Sequence, residues 1–106
     1  MGAEIPRKTS RVGVPLEIVL ECSSGKREAR ISDLSLGGCY IDSIAGVTKG
    51  EVVHFKLSVP QSKAEDMSGT VVYVHEGVGF GLRFDSLSYE QRHILRKFIL
   101  AGGGTL

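Results

Sequence analysis

Apolar and polar residues alternate along most of the chain, in short runs that turn signals separate. In the first run, residues 16–22, every second side chain is apolar, and Glu17 and Glu21 lie between them. This period of two is typical of a strand that buries one face. The sequence Ser-Ser-Gly-Lys at 23–26 is a turn signal, so we expect a hairpin that leads into a second strand at residues 27–34.

Four more alternating runs follow, and the last segment changes period. The further strands are predicted at residues 39–43, 51–59, 67–75 and 78–84. From residue 87 to residue 100 the apolar side chains recur at the spacing of an amphipathic helix. Residues 88–91, Ser-Tyr-Glu-Gln, have the spacing of a capping box, and the glycines at 102–104 end the helix.

These elements predict a mostly β protein, a six-stranded antiparallel β-barrel with a C-terminal α-helix whose apolar stripe packs on the barrel. The alternation also assigns the faces of each strand. In the last strand, Phe80, Leu82 and Phe84 should point inward. Gly79 and Gly81, which alternate with them, should point outward.

The two ends of the chain lack this periodicity. Residues 1–13 are polar and contain Pro6 and Gly13, so we expect a flexible N-terminal arm, and residues 102–106 form a short tail. The barrel and the helix, residues 14–101, are then a single domain, in keeping with a length of 106 residues.

Composition narrows the classes of function. The net charge of +1 gives no support to general nucleic-acid binding, which relies on many cationic contacts with phosphates. The chain has no apolar stretch long enough to span a membrane and no apolar segment of the kind that opens a signal peptide, so we expect a cytoplasmic protein. Cys22 and Cys39 lie in alternating runs and are expected to be reduced core residues, with a disulfide as the less favoured alternative.

Two polar clusters interrupt this pattern. The first is Arg7-Lys8-Thr9-Ser10-Arg11 in the arm, and the second is Asp33-Leu34-Ser35-Leu36-Gly37-Gly38 at the end of the second strand. Arginine offers a forked pair of donors that matches phosphate oxygens, and a carboxylate accepts hydrogen bonds from base N–H groups. Each cluster also has a simpler interpretation, because a short basic run is often a solvated tail and Asp, Ser and Gly often form a turn.

Together the two clusters resemble the signature of the PilZ domain family, the bacterial receptors for cyclic di-GMP. That signature is R-x-x-x-R, followed after a gap by D/N-x-S-x-x-G. Its defining positions are all filled here, by Arg7, Arg11, Asp33, Ser35 and Gly38. The resemblance continues through the runs at 37–41, 69–74 and 79–84 and through the final helix, so it covers nearly the whole chain.

The resemblance implies ligand binding by a set of residues in both clusters and one strand: Arg7, Lys8, Arg11, Asp33, Ser35, Gly37, Gly38 and Tyr73. The two arginines would hold phosphate groups and guanine edges of cyclic di-GMP. Lys8, where the family often has another arginine, keeps the charge without the fork. Asp33 would accept hydrogen bonds from a guanine edge. Ser35 would contact the ligand or its waters, and Gly38 would leave room for the ligand.

Tyr73 and Pro6 bear on how the ligand is held. Tyr73 lies where the family often has an aromatic residue that stacks beside the ligand, although a half-buried strand tyrosine is an equally open interpretation. In the family an arginine at the position of Pro6 accompanies two stacked ligands, so Pro6 favours one ligand per domain. Binding would draw the arm onto the barrel and change a surface that a downstream partner protein reads.

No catalytic motif accompanies these clusters. His54, His75 and His93 have no metal-ligand spacing, and Cys39 has no histidine in the pattern to activate it. We therefore expect neither an enzyme nor a cofactor or metal site. Two alternatives to a receptor remain, an interaction adaptor of the same fold that binds no nucleotide and a small-barrel nucleic-acid binder. The complete signature argues against the adaptor, and the small net charge with few exposed aromatic residues argues against the nucleic-acid binder.

Overall fold

The structure, a computed structural model, describes residues 12–59 and 62–102. Its elements in chain order are β1 (Val12–Cys22), β2 (Gly25–Leu34), β3 (Gly38–Asp42), β4 (Val52–Leu57), β5 (Glu65–His75), β6 (Gly79–Phe84) and α1 (Tyr89–Ala101). Neighbouring strands are antiparallel in the order β1-β2-β3-β6-β5-β4, and pairing of β4 with β1 closes the barrel. The predicted six-stranded antiparallel barrel with a C-terminal helix is confirmed.

Four strands begin earlier than the pattern of apolar residues predicts; β2 begins at Gly25 rather than residue 27, and β3 at Gly38 rather than residue 39. β1 begins at Val12 rather than residue 16, and its first residues pair with the end of β2, so residues 12 and 13 of the predicted arm belong to the barrel. β5 begins at Glu65 rather than residue 67, because Glu65 pairs with Leu57 at the end of β4. Backbone pairing, which the side-chain pattern does not report, extends these strands.

The alternating apolar side chains form one core inside the barrel. Phe80, Leu82 and Phe84 are buried, as their alternation predicts. Leu95 and Ile99 of α1 belong to the same core and are 0% exposed, so the helix packs on the barrel through its apolar stripe as predicted. Full burial of such side chains contributes about 1.5–3 kcal/mol each to folding.

The two cysteines are not joined in a disulfide. Cys39 is buried in the core, and Cys22 is partly buried at the end of β1. In the part of the chain that the structure describes, no helix has the length and apolar character needed to cross a membrane.

Candidate functional site

The loop between β2 and β3 is a tight turn that hydrogen bonds of Ser35 stabilise. The Ser35 amide donates to the carbonyl of Gly38 at 2.9 Å. The Ser35 hydroxyl oxygen accepts from the amides of Gly37 and Gly38 at 3.2 and 3.3 Å, and the residue is only 2% exposed. The hydroxyl therefore fixes the shape of the turn that follows Asp33 and the end of β2.

The two glycines of this turn have different surroundings. Gly38 is buried, and a Cβ there would collide with the carbonyl oxygen of Leu82 on β6. Gly37 is exposed, and a Cβ there would meet nothing within 4 Å. The close approach of β3 to β6 is thus a sufficient reason for glycine at position 38, independent of any ligand.

Asp33 lies on the outer face of the barrel, in line with two aromatic residues. It pairs with Tyr40 across β2 and β3. Tyr40 in turn pairs with Gly81 of β6, and Gly81 pairs with Tyr73 of β5. The next residue of β3, Ile41, is buried, so this row, which we call the Asp33–Tyr73 row, points outward. The row places Asp33 and Tyr73, both predicted from sequence, three strand spacings or about 14 Å apart.

Tyr40, Tyr73 and His75 form an aromatic cluster on this face. The ring centroids of the two tyrosines are 6.2 Å apart, and the His75 ring is 5.7 Å from Tyr40 and 5.1 Å from Tyr73. The Tyr40 hydroxyl and Nδ1 of His75 form a hydrogen bond of 3.0 Å. The tyrosine rings cover Gly79 and Gly81, which are buried although they lie at the outward positions of β6.

Charged side chains border the aromatic cluster. Partial burial raises the pKa of the Tyr40 phenol. The neighbouring Tyr73 and the carboxylates of Asp42 and Asp33 raise that pKa further, so the phenol keeps its proton at neutral pH. Arg30 of β2 pairs with Asp42 of β3, with 3.6 Å between Nε and Oδ2. The face thus carries carboxylates, an exposed guanidinium and a protonated phenol close together.

The structure describes part of the predicted site. The site residues that it includes are Asp33, Ser35, Gly37, Gly38 and Tyr73. Arg7, Lys8 and Arg11 lie outside the described residues. The chain that follows them is described, and Gly13 pairs with Asp33 across β1 and β2.

Tyr40 and His75 are additions to the predicted set. Their signal in the sequence is the pair of outward glycines in β6, Gly79 and Gly81, which leaves space on the barrel surface for rings from the neighbouring strands. The signal becomes readable only when the order β3-β6-β5 is known, because these strands are not consecutive in the chain.

A groove of about 690 Å³ lies elsewhere, where β1 meets β4, and Glu17, His54 and Lys56 are among the residues that line it. It includes no residue of the Asp33–Tyr73 row. Within residues 12–59 and 62–102, no group of three or more His, Cys, Asp or Glu side chains could hold a metal ion.

Comparison with sequence models of protein families matches the chain to one family. The sequence model of the PilZ domain matches residues 6–101. No curated protein matches the chain.

Solved structures share the fold. The PilZ domain of YcgR from Escherichia coli, solved with c-di-GMP, superposes with a TM-score of 0.72 at 17% identity, covering 93% of this chain and 92% of that one. The Bacillus subtilis inhibitor of motility MotI/DgrA gives a TM-score of 0.75 at 13% identity, covering 92% of this chain and 51% of that one.

The Borreliella burgdorferi PlzA protein, in complex with c-di-GMP, gives a TM-score of 0.69 at 15% identity, covering 88% of this chain and 40% of that one. The chain thus spans about half the length of the B. subtilis protein and less than half of the B. burgdorferi protein. At these identities the structural matches show a common fold.

Proposed function

Because this chain belongs to the PilZ domain family, we propose that it is a receptor for cyclic di-GMP and binds it on the outer barrel face around the Asp33–Tyr73 row. One observation carries the proposal: Gly13, two residues after Arg11, pairs with Asp33. Two residues of backbone span at most about 7 Å. On this proposal the second arginine of R-x-x-x-R, two residues before Gly13, and the carboxylate of D-x-S-x-x-G contact the same ligand.

The residues near this meeting point offer the groups that a guanine nucleotide needs. A guanidinium binds guanine O6 and N7, or two phosphate oxygens, in a paired geometry, so we assign these contacts to Arg7 and Arg11. Lys8 adds a third cation without a fork. The Asp33 carboxylate accepts hydrogen bonds from the donor edge of a guanine. Tyr73 contributes a ring face, and it is 44% exposed.

The turn after Asp33 supports the ligand mainly through its shape. The Ser35 hydroxyl is bonded to the amides of Gly37 and Gly38, which fixes the exit of β2. Gly37 is exposed, so a ligand on this face can approach its backbone closely. We assign Ser35, which is buried, and Gly38 to holding this arrangement.

Ligand binding changes the conformation of residues 1–11, because the phosphates attract the three cations of this segment onto the barrel face. A partner protein in the cytoplasm then reads the altered surface. The name of the B. subtilis neighbour, inhibitor of motility, supports an output in motility or biofilm formation. NMR relaxation of the amides of residues 1–11 checks the mechanism, and equal order with and without saturating ligand would contradict it.

Calorimetric titration with cyclic di-GMP tests the receptor function. The wild type is expected to bind one ligand per domain, since Pro6 occupies the position where arginine accompanies two. Arg11→Ala is expected to weaken binding by roughly 10- to 150-fold, because it removes one hydrogen-bonded pair of opposite charges. Arg92→Ala, which removes an exposed arginine from α1, is the matched control and should bind as the wild type does.

The same titration separates the receptor from the two alternatives. No heat and no chemical-shift change with the wild type would reject the receptor in favour of an adaptor that binds protein alone. Retention of a single-stranded oligonucleotide that falls with salt would instead favour a nucleic-acid binder.

A further inference from the structure

A guanine base needs partners for its hydrogen-bonding edge and for its ring face, and the outer barrel face supplies both at adjacent positions. Asp33 and Tyr40 lie directly opposite each other on β2 and β3. In such antiparallel pairs the Cβ atoms are about 4.5–5.5 Å apart. The backbone of Tyr73 lies two strands beyond that of Tyr40, about 10 Å further, and the centroid of its ring lies 6.2 Å from that of Tyr40. A base whose edge is bound by Asp33 therefore lies over Tyr40 before it reaches Tyr73.

Because β6 has glycine at positions 79 and 81, the rings of Tyr40 and Tyr73 can pack flat against the barrel surface. A Cβ at Gly81 would collide with the ring of Tyr73, and a Cβ at Gly79 would collide with the carbonyl oxygen of Ile41 and with the ring of Tyr40. Any side chain at these positions would lift the rings and break the surface into ridges. With glycine at both, the aromatic cluster presents a low platform beside Asp33, outside the apolar core.

The hydrogen bond between Tyr40 and His75 holds this platform in one arrangement. The phenol oxygen lies 3.0 Å from Nδ1, and the two ring centroids are 5.7 Å apart. A phenol that keeps its proton donates to Nδ1 when the histidine carries its own proton on Nε2. A ring that is fixed before the ligand arrives loses less conformational entropy on binding, so pre-ordering favours affinity.

We infer from this geometry that Tyr40 is the residue on which the base held by Asp33 stacks, and that His75 is a positioning residue that holds the Tyr40 ring. The inference rests on the proposed function, because it names further residues of the same site. Neither position belongs to the R-x-x-x-R or D-x-S-x-x-G segment. Tyr73 then lies at the far edge of the platform, and its contribution to affinity is smaller than that of Tyr40.

Cyclic di-GMP affinities of single variants test the stacking residue. Tyr40→Leu is expected to bind roughly 5- to 150-fold more weakly, because it removes the aromatic ring on which the base stacks. Tyr73→Leu should lose less affinity than Tyr40→Leu does. Tyr89→Leu, which removes a tyrosine that is 84% exposed on α1, is the matched control and should bind as the wild type does. Wild-type affinity of Tyr40→Leu, alongside lost binding in Asp33→Ala, would overturn the inference and leave the receptor function standing.

A double-mutant cycle tests the positioning residue. Tyr40→Phe keeps the stacking ring and loses its hydroxyl, and His75→Ala keeps the hydroxyl and loses its partner. Each should weaken binding by a similar, smaller factor, about 2- to 5-fold, and the double variant should be no weaker than either single one. His75→Gln, whose amide can bond to the phenol, should recover most of the affinity. If the two losses of affinity multiplied in the double variant, or if His75→Gln did not recover affinity, the positioning role of His75 would be overturned.

A wild type without affinity for cyclic di-GMP would remove the receptor function and this inference together. Thermal unfolding of each variant separates binding loss from folding loss, since these side chains lie outside the core. A variant with wild-type melting behaviour and lost affinity supports a direct role in the site.

Discussion

At the scale of single residues, neighbouring backbone atoms decide which glycine of the β2–β3 turn can be replaced. A Cβ at Gly38 would collide with the carbonyl of Leu82, and a backbone carbonyl inside a sheet cannot swing aside. A Cβ at Gly37 would meet nothing within 4 Å. Neither glycine has a positive φ, so the two differ in available space and not in backbone conformation.

Alanine at these two positions should therefore have different effects. We expect Gly38→Ala to lower the free energy of unfolding by about 1–3 kcal/mol, because β3 must move away from β6. Gly37→Ala should change it by less than about 0.5 kcal/mol. Urea unfolding measures both values, and an equal loss in the two variants would show that the collision with Leu82 is not the cause.

At the scale of elements, α1 is fastened at its first turn. Ser88 and Gln91 form the predicted capping box, in which the Gln91 amide donates to the Ser88 hydroxyl at 3.0 Å and the Ser88 amide donates to Oε1 of Gln91 at 2.8 Å. Nε2 of Gln91 also donates to the carbonyl of Asp66 on β5 at 2.7 Å. The cap therefore both starts the helix and ties it to the barrel.

Ser88→Ala should lower the free energy of unfolding by about 1 kcal/mol, the usual cost of a lost N-cap. Ser86→Ala, an exposed serine just before the helix, is the control and should have little effect. Thermal or urea unfolding provides the comparison. Similar stability of the two variants would mean that the contact with β5 alone holds the first turn.

Glu51, next to β4, fastens the β1–β2 hairpin to the loop between β3 and β4. Its carboxylate accepts hydrogen bonds from the amides of Ser23 at 2.8 Å and Thr48 at 3.0 Å. Partial burial raises the pKa of Glu51, but the hydrogen bonds from Ser23 and Thr48 outweigh burial, and the net pKa lies below its ordinary value.

A pKa that is lower in the folded state stabilises the protein above the pKa of the unfolded state, and this contribution is lost as pH falls through the folded pKa. We therefore expect Glu51→Gln to be less stable than the wild type at about pH 7, with a difference that shrinks towards about pH 3. Urea unfolding of both proteins at several pH values measures this difference in stability. A difference that is constant with pH would indicate that the charge of Glu51 contributes nothing.

At the scale of the whole molecule, the barrel is closed unevenly. β6 pairs along its length with β3 on one side and β5 on the other. β1 and β4 pair only at Leu20–Phe55 and Glu21–His54 in the described chain. The candidate site lies on the well-paired strands, so its platform sits on the more extensively hydrogen-bonded side of the barrel.

Hydrogen exchange should reflect this difference. Amides of β4 that face β1 are expected to exchange faster than those of β6, because fewer hydrogen bonds must break to open that seam. NMR-detected exchange on the unliganded protein measures the rates by residue. Equal protection of β4 and β6 would mean that the barrel opens only as a whole.

The sequence by itself determined which face of each strand points into the apolar core, because a period of two separates inward from outward side chains. It also determined the helix with its capping box, and the two clusters whose spacing resembles the family signature. Asp33, Ser35, Gly37 and Gly38 could be named as candidate site residues on that basis, and the fold class could be predicted as well.

Only the tertiary structure decided which residues meet across the barrel. β3 and β6 are far apart in the chain, and side-chain periodicity carries no information on the register between non-consecutive strands. That register aligns Asp33 with Tyr40 and Tyr73, places Gly38 against Leu82, and covers the glycines of β6 with rings. The alternation along each strand reports the environment of that strand, whereas a binding face depends on pairings between strands that only folding creates.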